Sequence, residues 1–252
     1  MINVAICGAL GRMGTTIAHL VSEADDMTFV GGVDVKAGTL LGAPVVESAD
    51  IRTFLRDVKP DVLIDFTIAH AAVENIRAGA EAGVALVVGT TGFSGEQRTI
   101  IDAAIEGSVP AIISSNYSVG MNIFWKLVRE AAQRLGDYDT EVIEAHHRYK
   151  KDAPSGTART LLEIITEETG KTEYVYGREG MTERKDEIGV HVIRGGDIVG
   201  DHTVLFTANN ETIELSHRAY DRAVFAHGVI RAVRFVSGKP PGLYTMTDVL
   251  GL

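Results

Sequence analysis

The stretch "INVAICGALGRMG", residues 2–14, joins a short apolar run to a loop with three glycines. The run at 2–7 predicts a buried β-strand, and "TTIAHLVSEA", residues 15–24, predicts a helix directly after the loop. A glycine-rich turn at this place lets backbone N–H groups approach a pyrophosphate at the N-terminus of a helix. The stretch therefore indicates the first strand–turn–helix unit of a dinucleotide-binding domain.

The rest of the first half repeats this alternation of apolar runs and helical patterns. Further strands are predicted at 28–34, 61–67, 85–91 and 110–116, and helices at 51–58, 69–82 and 95–106. Short apolar strands alternating with helices are typical of an α/β fold with a Rossmann-like, doubly wound parallel sheet. In such a sheet a ligand binds at the carboxyl ends of the strands.

The pattern changes after about residue 117. A long helix is predicted first, and strands alternate with turn residues after it; the predicted helices are 122–135 and 158–168, and the predicted strands are 140–147, 189–196, 202–208 and 212–220. This order predicts a second, α+β domain with a mainly antiparallel or mixed sheet. We expect a dinucleotide-binding domain at 1–117, completed by 223–252, and a second domain at 118–222.

Composition restricts the class of protein. The 252 residues carry 24 Lys and Arg against 34 Asp and Glu, a formal charge of −10, which argues against nonspecific binding of nucleic acid. The single cysteine, Cys7, excludes an intramolecular disulfide. The sequence begins without the pattern of a signal peptide and has no apolar run near the roughly 20 residues that span a bilayer. We therefore expect a cytoplasmic protein that acts neither on a membrane nor on nucleic acid.

The glycines of the loop are Gly8, Gly11 and Gly14, a spacing that differs from the G-x-G-x-x-G fingerprint because Leu10 occupies the place of its second glycine. A glycine-rich turn without a ligand remains an alternative. Asp34 follows the second predicted strand, 20 residues after Gly14, where an acid that binds the ribose is expected.

Two cations near this acid leave the nucleotide open. An acid favours the free 2′-hydroxyl of NAD, whereas Arg12 and Lys36 are able to hold the 2′-phosphate of NADP. We therefore expect NADH, NADPH or both as cofactor.

The stretch "EAHHRYKKDAPSGTA", residues 144–158, concentrates positive and titratable side chains in an acidic protein. A metal site is disfavoured, because neighbouring residues on a strand, such as His146 and His147, point to opposite faces. A solvated basic loop is the second alternative. The residues at 154–157 argue against a solvated loop, because they precede an apolar helical run and predict a carboxylate or phosphate site at a helix N-terminus. Lys150 adds a positive charge nearby, and a histidine is able to deliver a proton.

This stretch resembles the signature of the dihydrodipicolinate reductase family. The resemblance extends along the chain: "GALGRMG" (8–14), "DFT" (65–67), "GTTGF" (89–93), "SNYSVGMN" (115–122), "RGGDIVGDHTVLF" (194–206) and "GLYTMTDVLGL" (242–252) are also similar to segments of that family.

The resemblance implies NAD(P)H-dependent reduction of 4-hydroxy-tetrahydrodipicolinate to tetrahydrodipicolinate in lysine and diaminopimelate biosynthesis, by a homotetramer and without a metal. It also implies that the second domain, 118–222, binds the substrate and forms the oligomer. It implies that His146 is the general acid and Lys150 its electrostatic partner. The substrate carboxylates would be bound by His147, Ser155, Gly156 and Thr157. The cofactor would be bound by Gly8, Gly11, Arg12, Met13, Gly14, Asp34, Lys36, Phe66, Gly89, Thr90, Thr91, Ser115, Asn116 and Tyr117. Arg222 and Phe225 would help to close the site.

Two other functions remain open on the residues alone. Another Rossmann-type reductase or dehydrogenase of a small dicarboxylate would share the nucleotide loop, although Cys7 is badly placed for an acyl-enzyme mechanism. A nucleotide-sensing protein without turnover would not need His146 and Lys150 beside an anion site.

Overall fold

The computed structural model describes residues 1–252, which form two compact units. Unit 1 consists of Met1–Ser118 and Ala223–Leu252, and unit 2 consists of Val119–Arg222. The strands are β1 (Ile2–Cys7), β2 (Met27–Asp34), β3 (Gly38–Leu40), β4 (Ala43–Glu47), β5 (Val62–Asp65), β6 (Ala85–Val88), β7 (Pro110–Ile113), β8 (Asp139–His146), β9 (Tyr174–Tyr176), β10 (Ile188–Arg194), β11 (Gly200–Thr207), β12 (Thr212–Ala219) and β13 (Gly242–Tyr244). The α-helices are α1 (Arg12–Glu23), α2 (Ile51–Val58), α3 (Ala69–Glu81), α4 (Gly95–Ile105), α5 (Val119–Arg134), α6 (Gly156–Thr169), α7 (Ala223–Val236) and α8 (Met246–Leu250).

Unit 1 contains an eight-stranded sheet in the order β13-β7-β6-β5-β1-β2-β4-β3. Every neighbouring pair is parallel except β3 and β4. The predicted Rossmann-like class is confirmed. The antiparallel β3–β4 hairpin was not predicted, because its turn is Leu41-Gly42 rather than a familiar Asn-Gly or Asp-Gly pair; both residues have positive φ, +51° and +80°, as a tight hairpin turn requires.

Helices cover both faces of this sheet because side chains alternate along each buried strand. Along β1, Val4 and Ile6 join one core cluster with α1 and α7, whereas Ala5 and Cys7 join a second cluster with α2, α3 and α4. A strand buried on both faces reads as a continuous apolar run, which is the pattern seen at 2–7.

Unit 2 contains a five-stranded sheet in the order β12-β11-β8-β10-β9. β11 is antiparallel to both β12 and β8, whereas β10 is parallel to both β8 and β9. The sheet is thus mixed, which confirms the predicted α+β domain with a mainly antiparallel or mixed sheet. The chain leaves β8 through α6 before it reaches β9 and β10, and a helical crossover of this kind returns the chain in the parallel direction.

One face of the sheet of unit 2 packs against α5 and α6. Val142 on β8 and Val204 and Phe206 on β11 share a core cluster with Val128 of α5 and Leu161 of α6. Glu144 and His146 lie on this same face of β8, because they follow Val142 at intervals of two residues. The face that is buried in the core at one end of β8 therefore carries polar side chains at the other end.

No helix of this chain combines the length and the apolar character of a membrane-spanning segment.

Candidate active site

The predicted cofactor residues follow the carboxyl ends of five parallel strands of unit 1. β1, β2, β5, β6 and β7 point in the same direction, so the loops that follow them lie along one edge of the sheet. The structure brings together there Gly8, Gly11, Arg12, Met13 and Gly14 after β1, Asp34 and Lys36 at the end of β2, Phe66 after β5, Gly89, Thr90 and Thr91 after β6, and Ser115, Asn116 and Tyr117 after β7.

The glycine loop after β1 has the geometry that a pyrophosphate needs. Gly8 has a φ of +77°, and a Cβ there would lie 2.6 Å from the carbonyl oxygen of Phe66. A Cβ on Gly14 would lie 2.1 Å from the carbonyl oxygen of Gly8, so α1 approaches the loop closely. The N-cap residue Gly11 has no side chain to accept from the first N–H groups of α1. The loop thus fits a dinucleotide whose phosphates accept hydrogen bonds from this helix N-terminus.

Asp34 joins the end of β2 to the glycine loop. Its Oδ2 accepts a hydrogen bond from the backbone N–H of Leu10 at 2.8 Å, and its Oδ1 accepts one from Val35 N–H at 2.7 Å. Leu10 occupies the position at which the standard fingerprint has a glycine, and its N–H is bound by this carboxylate. Asp34 remains half-buried, and each carboxylate oxygen retains a lone pair for a ribose hydroxyl.

Asp65 at the end of β5 is buried, with 2% exposure, and was not assigned a role from the sequence. Its Oδ1 accepts from the hydroxyls of Thr90 (2.6 Å) and Thr67 (2.9 Å), and its Oδ2 accepts from Asn75 Nδ2 at 2.7 Å. The Thr67 N–H donates in turn to Thr90 Oγ1 at 2.8 Å. Burial raises the pKa of Asp65, and the hydrogen bonds from Thr90, Asn75 and Thr67 oppose this rise. The Asp65 carboxylate therefore holds the loops after β5 and β6 to each other. The Thr90 hydroxyl is part of this network, since it donates to Asp65 and accepts from the Thr67 N–H.

Tyr117 lies in the core of unit 1, with 1% exposure. Its hydroxyl lies 2.9 Å from the carbonyl oxygen of Val88 and 3.1 Å from that of Ile112, and its ring contacts Phe66 with centroids 5.9 Å apart. Burial raises its pKa. The side chain of Tyr117 is thus structural, and its carbonyl group packs against Gly228 of α7.

Phe66 stands directly over Gly89, where a Cβ would lie 2.1 Å from the Phe66 ring. Glycine at this position lets the loops after β5 and β6 approach each other.

The predicted general acid, His146, is the last residue of β8 and is buried. Its Nδ1 lies 2.6 Å from Oε2 of Glu144, which is fully buried two residues earlier on the same face. Arg194 on the parallel neighbour β10 donates from Nη1 to Glu144 Oε2 at 2.9 Å and from Nη2 to Oε1 at 2.8 Å. Burial raises the pKa of Glu144, but the hydrogen bonds from His146 and Arg194 outweigh it and lower the pKa to about 2.

Ser155 is the N-cap of α6, and its side chain accepts from the N–H of Ala158 at 3.2 Å. Its own N–H donates to Glu144 Oε1 at 2.9 Å. α6 therefore begins at Gly156, two residues before the predicted start. The remaining predicted anion-binding residues, Gly156 and Thr157, form its first turn, and nothing lies within 4 Å of a Cβ placed on Gly156.

His202 on β11 lies in the segment 194–206, and no role for it was predicted from the sequence. It is buried, its Nε2 lies 3.3 Å from Ser155 Oγ, and its ring meets the edge of His146 with centroids 5.2 Å apart. Burial, followed by the nearby His146, lowers its pKa to about 3. His202 is thus neutral at neutral pH and packs against the ring of His146.

The remaining predicted residues of unit 2 lie on the loop between β8 and α6 or at the end of the unit. Lys150 forms an ion pair with Asp152 at 3.0 Å. Burial raises the pKa of the Asp152 carboxyl, but the hydrogen bond and charge of Lys150 help to outweigh it, so the pKa is lowered. His147 follows β8, and its ring contacts Tyr149 with centroids 6.3 Å apart. Arg222 is the last residue of unit 2, and Phe225 lies in α7 of unit 1; both are half-buried.

No group of three or more His, Cys, Asp or Glu side chains is placed to hold a metal ion. Instead, a nucleotide-type loop lies on a Rossmann-like sheet in unit 1, and an imidazole with a buried carboxylate partner lies beside a helix N-terminus in unit 2. These features define the class as Rossmann-type oxidoreductases.

Family models for the two parts of dihydrodipicolinate reductase match nearly the whole chain, the N-terminal model at residues 2–117 and the C-terminal model at 120–250. The chain belongs to the dihydrodipicolinate reductase family. It is 69% identical over 252 residues to the 4-hydroxy-tetrahydrodipicolinate reductase of Methanoculleus marisnigri and 65% identical over 253 residues to that of Methanospirillum hungatei, covering 100% of both chains in each case.

A solved structure with a similar fold is the dipicolinate-bound dihydrodipicolinate reductase of Paenisporosarcina sp. TG-14. It is 28% identical to this chain, with a TM-score of 0.82 and coverage of 98% of each chain. The likeness thus includes both units of the chain.

Proposed function

We propose that this chain catalyses the NAD(P)H-dependent reduction of 4-hydroxy-tetrahydrodipicolinate to tetrahydrodipicolinate, a step of lysine and diaminopimelate biosynthesis. The observation that carries the proposal is the His146–Glu144 pair beside the N-terminus of α6, in a chain that is 69% identical along its full length to a protein of that activity. A buried imidazole next to a helix N-terminus suits a substrate that needs both an anion site and a proton.

The residues of unit 1 would hold the nucleotide. The glycine loop and the first turn of α1 bind its pyrophosphate, and the Asp34 carboxylate accepts from a ribose hydroxyl. When bound, the reduced nicotinamide supplies the hydride. The loops after β5, β6 and β7, which include Phe66, Gly89 and Asn116, would position its ring.

Both nucleotides are proposed as cofactors, because Asp34 suits a free 2′-hydroxyl while Arg12 and Lys36 are exposed and able to meet a 2′-phosphate. Lys36→Met then raises KM for NADPH more than KM for NADH. An equal change for the two nucleotides would assign the 2′-phosphate to other residues.

The residues of unit 2 would hold the substrate and protonate it. Lys150 and the first turn of α6, Ser155 to Thr157, bind its two carboxylates with help from His147. Water leaves the hydroxylated ring, hydride adds to the carbon that carried the hydroxyl, and the resulting enamine takes a proton on carbon. His146 donates that proton, and Lys150 stabilises the negative charge nearby. Arg222 and Phe225 would contribute to closing the site.

Turnover tests the proposal most directly. The protein is mixed with NADH or NADPH and the product of the aldol condensation that supplies this substrate, and nicotinamide absorbance is followed. Loss of absorbance supports the reductase. Nucleotide binding without turnover would favour a nucleotide-sensing protein, and turnover only with another dicarboxylate would favour a different dehydrogenase.

Replacement of His146 by Gln tests the general acid. We expect kcat to fall by roughly 10²–10⁴-fold with little change in KM, because a proton donor acts in the transition state. His191→Gln is the matched control, since His191 lies on β10 and pairs with Glu141 at 2.8 Å instead. Small and equal changes in the two variants would remove His146 from this role.

Replacement of Lys150 by Met tests the carboxylate site. Binding of pyridine-2,6-dicarboxylate should weaken by about 1.5–3 kcal/mol, the loss of one charge-assisted hydrogen bond. The neighbouring, exposed Lys151 provides the control variant Lys151→Met. Unchanged affinity in Lys150→Met would place the anion site elsewhere.

Two further proposals concern the assembled protein. It would act in the cytoplasm as a homotetramer assembled through the sheet of unit 2. A mass of four chains, measured by light scattering of the purified protein, supports this assembly, and the mass of a monomer would contradict it.

A crystal structure with nicotinamide nucleotide and pyridine-2,6-dicarboxylate both bound would test whether His146 and the nicotinamide ring meet the same ligand.

A further inference from the structure

Glu144 connects three parts of unit 2 through a single buried carboxylate. Its Oε2 meets His146 Nδ1 at 2.6 Å, its Oε1 accepts from the Ser155 N–H at 2.9 Å, and both oxygens accept from Arg194. The side chain of Glu144 has no exposed surface. The predicted proton donor and the predicted anion-binding helix are therefore held by the same group.

The contact with Glu144 decides which ring nitrogen of His146 exchanges a proton. The pKa of Glu144 is lowered to about 2, so at neutral pH the carboxylate is ionised and can only accept hydrogen bonds. Nδ1 of His146 must then carry a hydrogen, whether the ring is neutral or charged. The proton that leaves for a substrate is the one on Nε2.

Space beside Nε2 is kept by a glycine on the neighbouring strand. A Cβ on Gly200, the first residue of β11, would lie 3.1 Å from His146 Nε2. This is tighter than an ordinary van der Waals contact. Any larger residue at position 200 would press on the nitrogen to which we assign proton transfer.

Arg194 fixes the carboxylate itself. Its two terminal nitrogens form a fork with both oxygens of Glu144, and Nη2 also donates to the carbonyl oxygen of Asp152 at 2.6 Å. Because a guanidinium stays charged throughout the working pH range, Glu144 has a cationic partner even when His146 is neutral. The fork also sets the plane of the carboxylate, and with it the direction of the bond to Nδ1.

We infer that Glu144, held by Arg194, is a positioning residue that makes Nε2 of His146 the proton-donating atom and keeps it in register with the N-terminus of α6. The inference rests on the proposed function, in which His146 protonates a substrate whose carboxylate lies at that helix. Glu144 acts through His146 and Ser155 and does not need to touch the substrate.

The charged and titratable groups that face His146 come from several elements. Glu144 lies on its own strand, Arg194 on β10, and His202 on β11, with Lys150 on the following loop and near enough to His202 to influence it electrostatically. His202 also faces His217 of β12. Among these groups Glu144 is the anion in direct contact with the His146 ring, so its loss removes the direct stabilisation of the protonated ring.

Glu144→Gln is the first test, and Glu141→Gln is its matched control. Glu141 lies on the same strand but on the opposite face, with ion pairs to Arg178 and Arg184 of its own. In Glu144→Gln, we expect kcat to fall by roughly 10²-fold or more, the scale of a disabled acid. The alkaline limb of the kcat–pH profile should move to lower pH, because the protonated ring loses its anion. Glu141→Gln should keep both kcat and the limb. A Glu144→Gln profile that superimposes on that of the wild type would overturn the inference.

A second measurement does not depend on turnover. A short Nδ1–H···O contact to a carboxylate gives a low-field proton resonance, which we expect in the unliganded wild-type protein and in Glu141→Gln. The signal should disappear in His146→Gln and in Glu144→Gln. Glu144→Asp retains the negative charge, so its kcat should lie between that of Glu144→Gln and that of the wild type. Absence of the signal from folded wild-type protein would contradict the Nδ1 assignment. If the wild type shows the signal and yet reduces no substrate, the proposed function fails while the positioning of His146 stands.

Discussion

Asp65 in unit 1 and Glu144 in unit 2 are buried carboxylates near the carboxyl ends of strands, and the two differ in their partners. Asp65 in unit 1 accepts only from neutral groups, the side chains of Thr67, Thr90 and Asn75 and the backbone of Thr67. Glu144 in unit 2 accepts from Arg194 and His146 as well as from a backbone N–H. Burial raises the pKa of both carboxyl groups, yet the pKa of Asp65 remains raised whereas that of Glu144 falls to about 2.

The comparison teaches that burial alone does not decide the charge of a carboxyl group. Neutral donors reduce the cost of burying a negative charge but do not cancel it, whereas a guanidinium fork supplies the opposite charge at contact distance. Asp65 is suited to hold two loops together. Glu144 is suited to accept a hydrogen bond from the His146 ring, since its low pKa keeps the carboxylate ionised at neutral pH.

The largest expected effect is on stability when the charge of Glu144 is removed. Glu144→Leu leaves Arg194, whose side chain is 19% exposed, without its main anion. We expect the free energy of unfolding to fall by about 3–5 kcal/mol, as when one partner of a buried ion pair is lost. Urea denaturation of Glu144→Leu and of the wild type measures this fall in the free energy of unfolding. The double variant Glu144→Leu/Arg194→Met should recover most of the loss; a double variant as unstable as the single one would show that the ion pair is not the cause.

The second effect is the dependence of stability on pH. The folded pKa of Glu144, about 2, lies below its ordinary value of 4.5, so the carboxylate stabilises the fold above pH 4.5 and this contribution is lost as pH falls towards 2. The difference corresponds to about 3 kcal/mol. Unfolding by urea across this range should therefore show a steeper acid loss in the wild type than in Glu144→Gln. Parallel curves would contradict the low pKa.

The third effect concerns the neutral network of Asp65. Thr90→Val removes a hydroxyl that donates to Asp65 and accepts from the Thr67 N–H. A buried polar group left without this partner costs about 1–3 kcal/mol, and urea denaturation should show a loss of that size. Thr91→Val is the matched control, because Thr91 is the next residue and is exposed. Equal losses in the two variants would remove the network as the cause.

The smallest effect has the opposite sign to that of Glu144. The folded pKa of Asp65 is raised above its ordinary value of 3.8, so stability contributed by this group is present below pH 3.8 and declines as pH rises through the folded pKa. Asp65→Asn should remove this decline while retaining one oxygen acceptor. Stability of the two proteins measured from acid to neutral pH gives the comparison, and a wild-type curve that rises more steeply than that of Asp65→Asn over this range would reverse the assignment.

The sequence predicted the strands of unit 1 well but extended them too far. The apolar runs of β5, β6 and β7 indicate where the strands begin, whereas the strands end at Asp65, Val88 and Ile113, two or three residues before the predicted ends. Apart from Phe66, the residues that follow are polar or glycine, and they form loops. Periodicity identifies a buried strand, but it does not mark where hydrogen bonding to a neighbouring strand stops.

In the candidate site, the chemistry on one short segment was predictable and the supporting contacts were not. His146, Lys150 and the turn before α6 are close in sequence, so their spacing alone suggested a site. Arg194 and His202 come from β10 and β11, about 50 residues later, and only the pairing of those strands with β8 brings them to His146. Glu144 lies in the same short segment, but no sequence pattern showed that it is buried, because its burial depends on the same pairing.

The sheet of unit 1 is interrupted in the sequence, since α7 and β13 come from the last 30 residues and β13 pairs with β7. During translation, the first 118 residues leave the ribosome without the helix that covers Ile17 and Val21 on α1. The nascent chain therefore carries an exposed apolar face while all of unit 2 is synthesised. The final packing of α1 in the core of unit 1 therefore waits for the last segment of the chain to be synthesised.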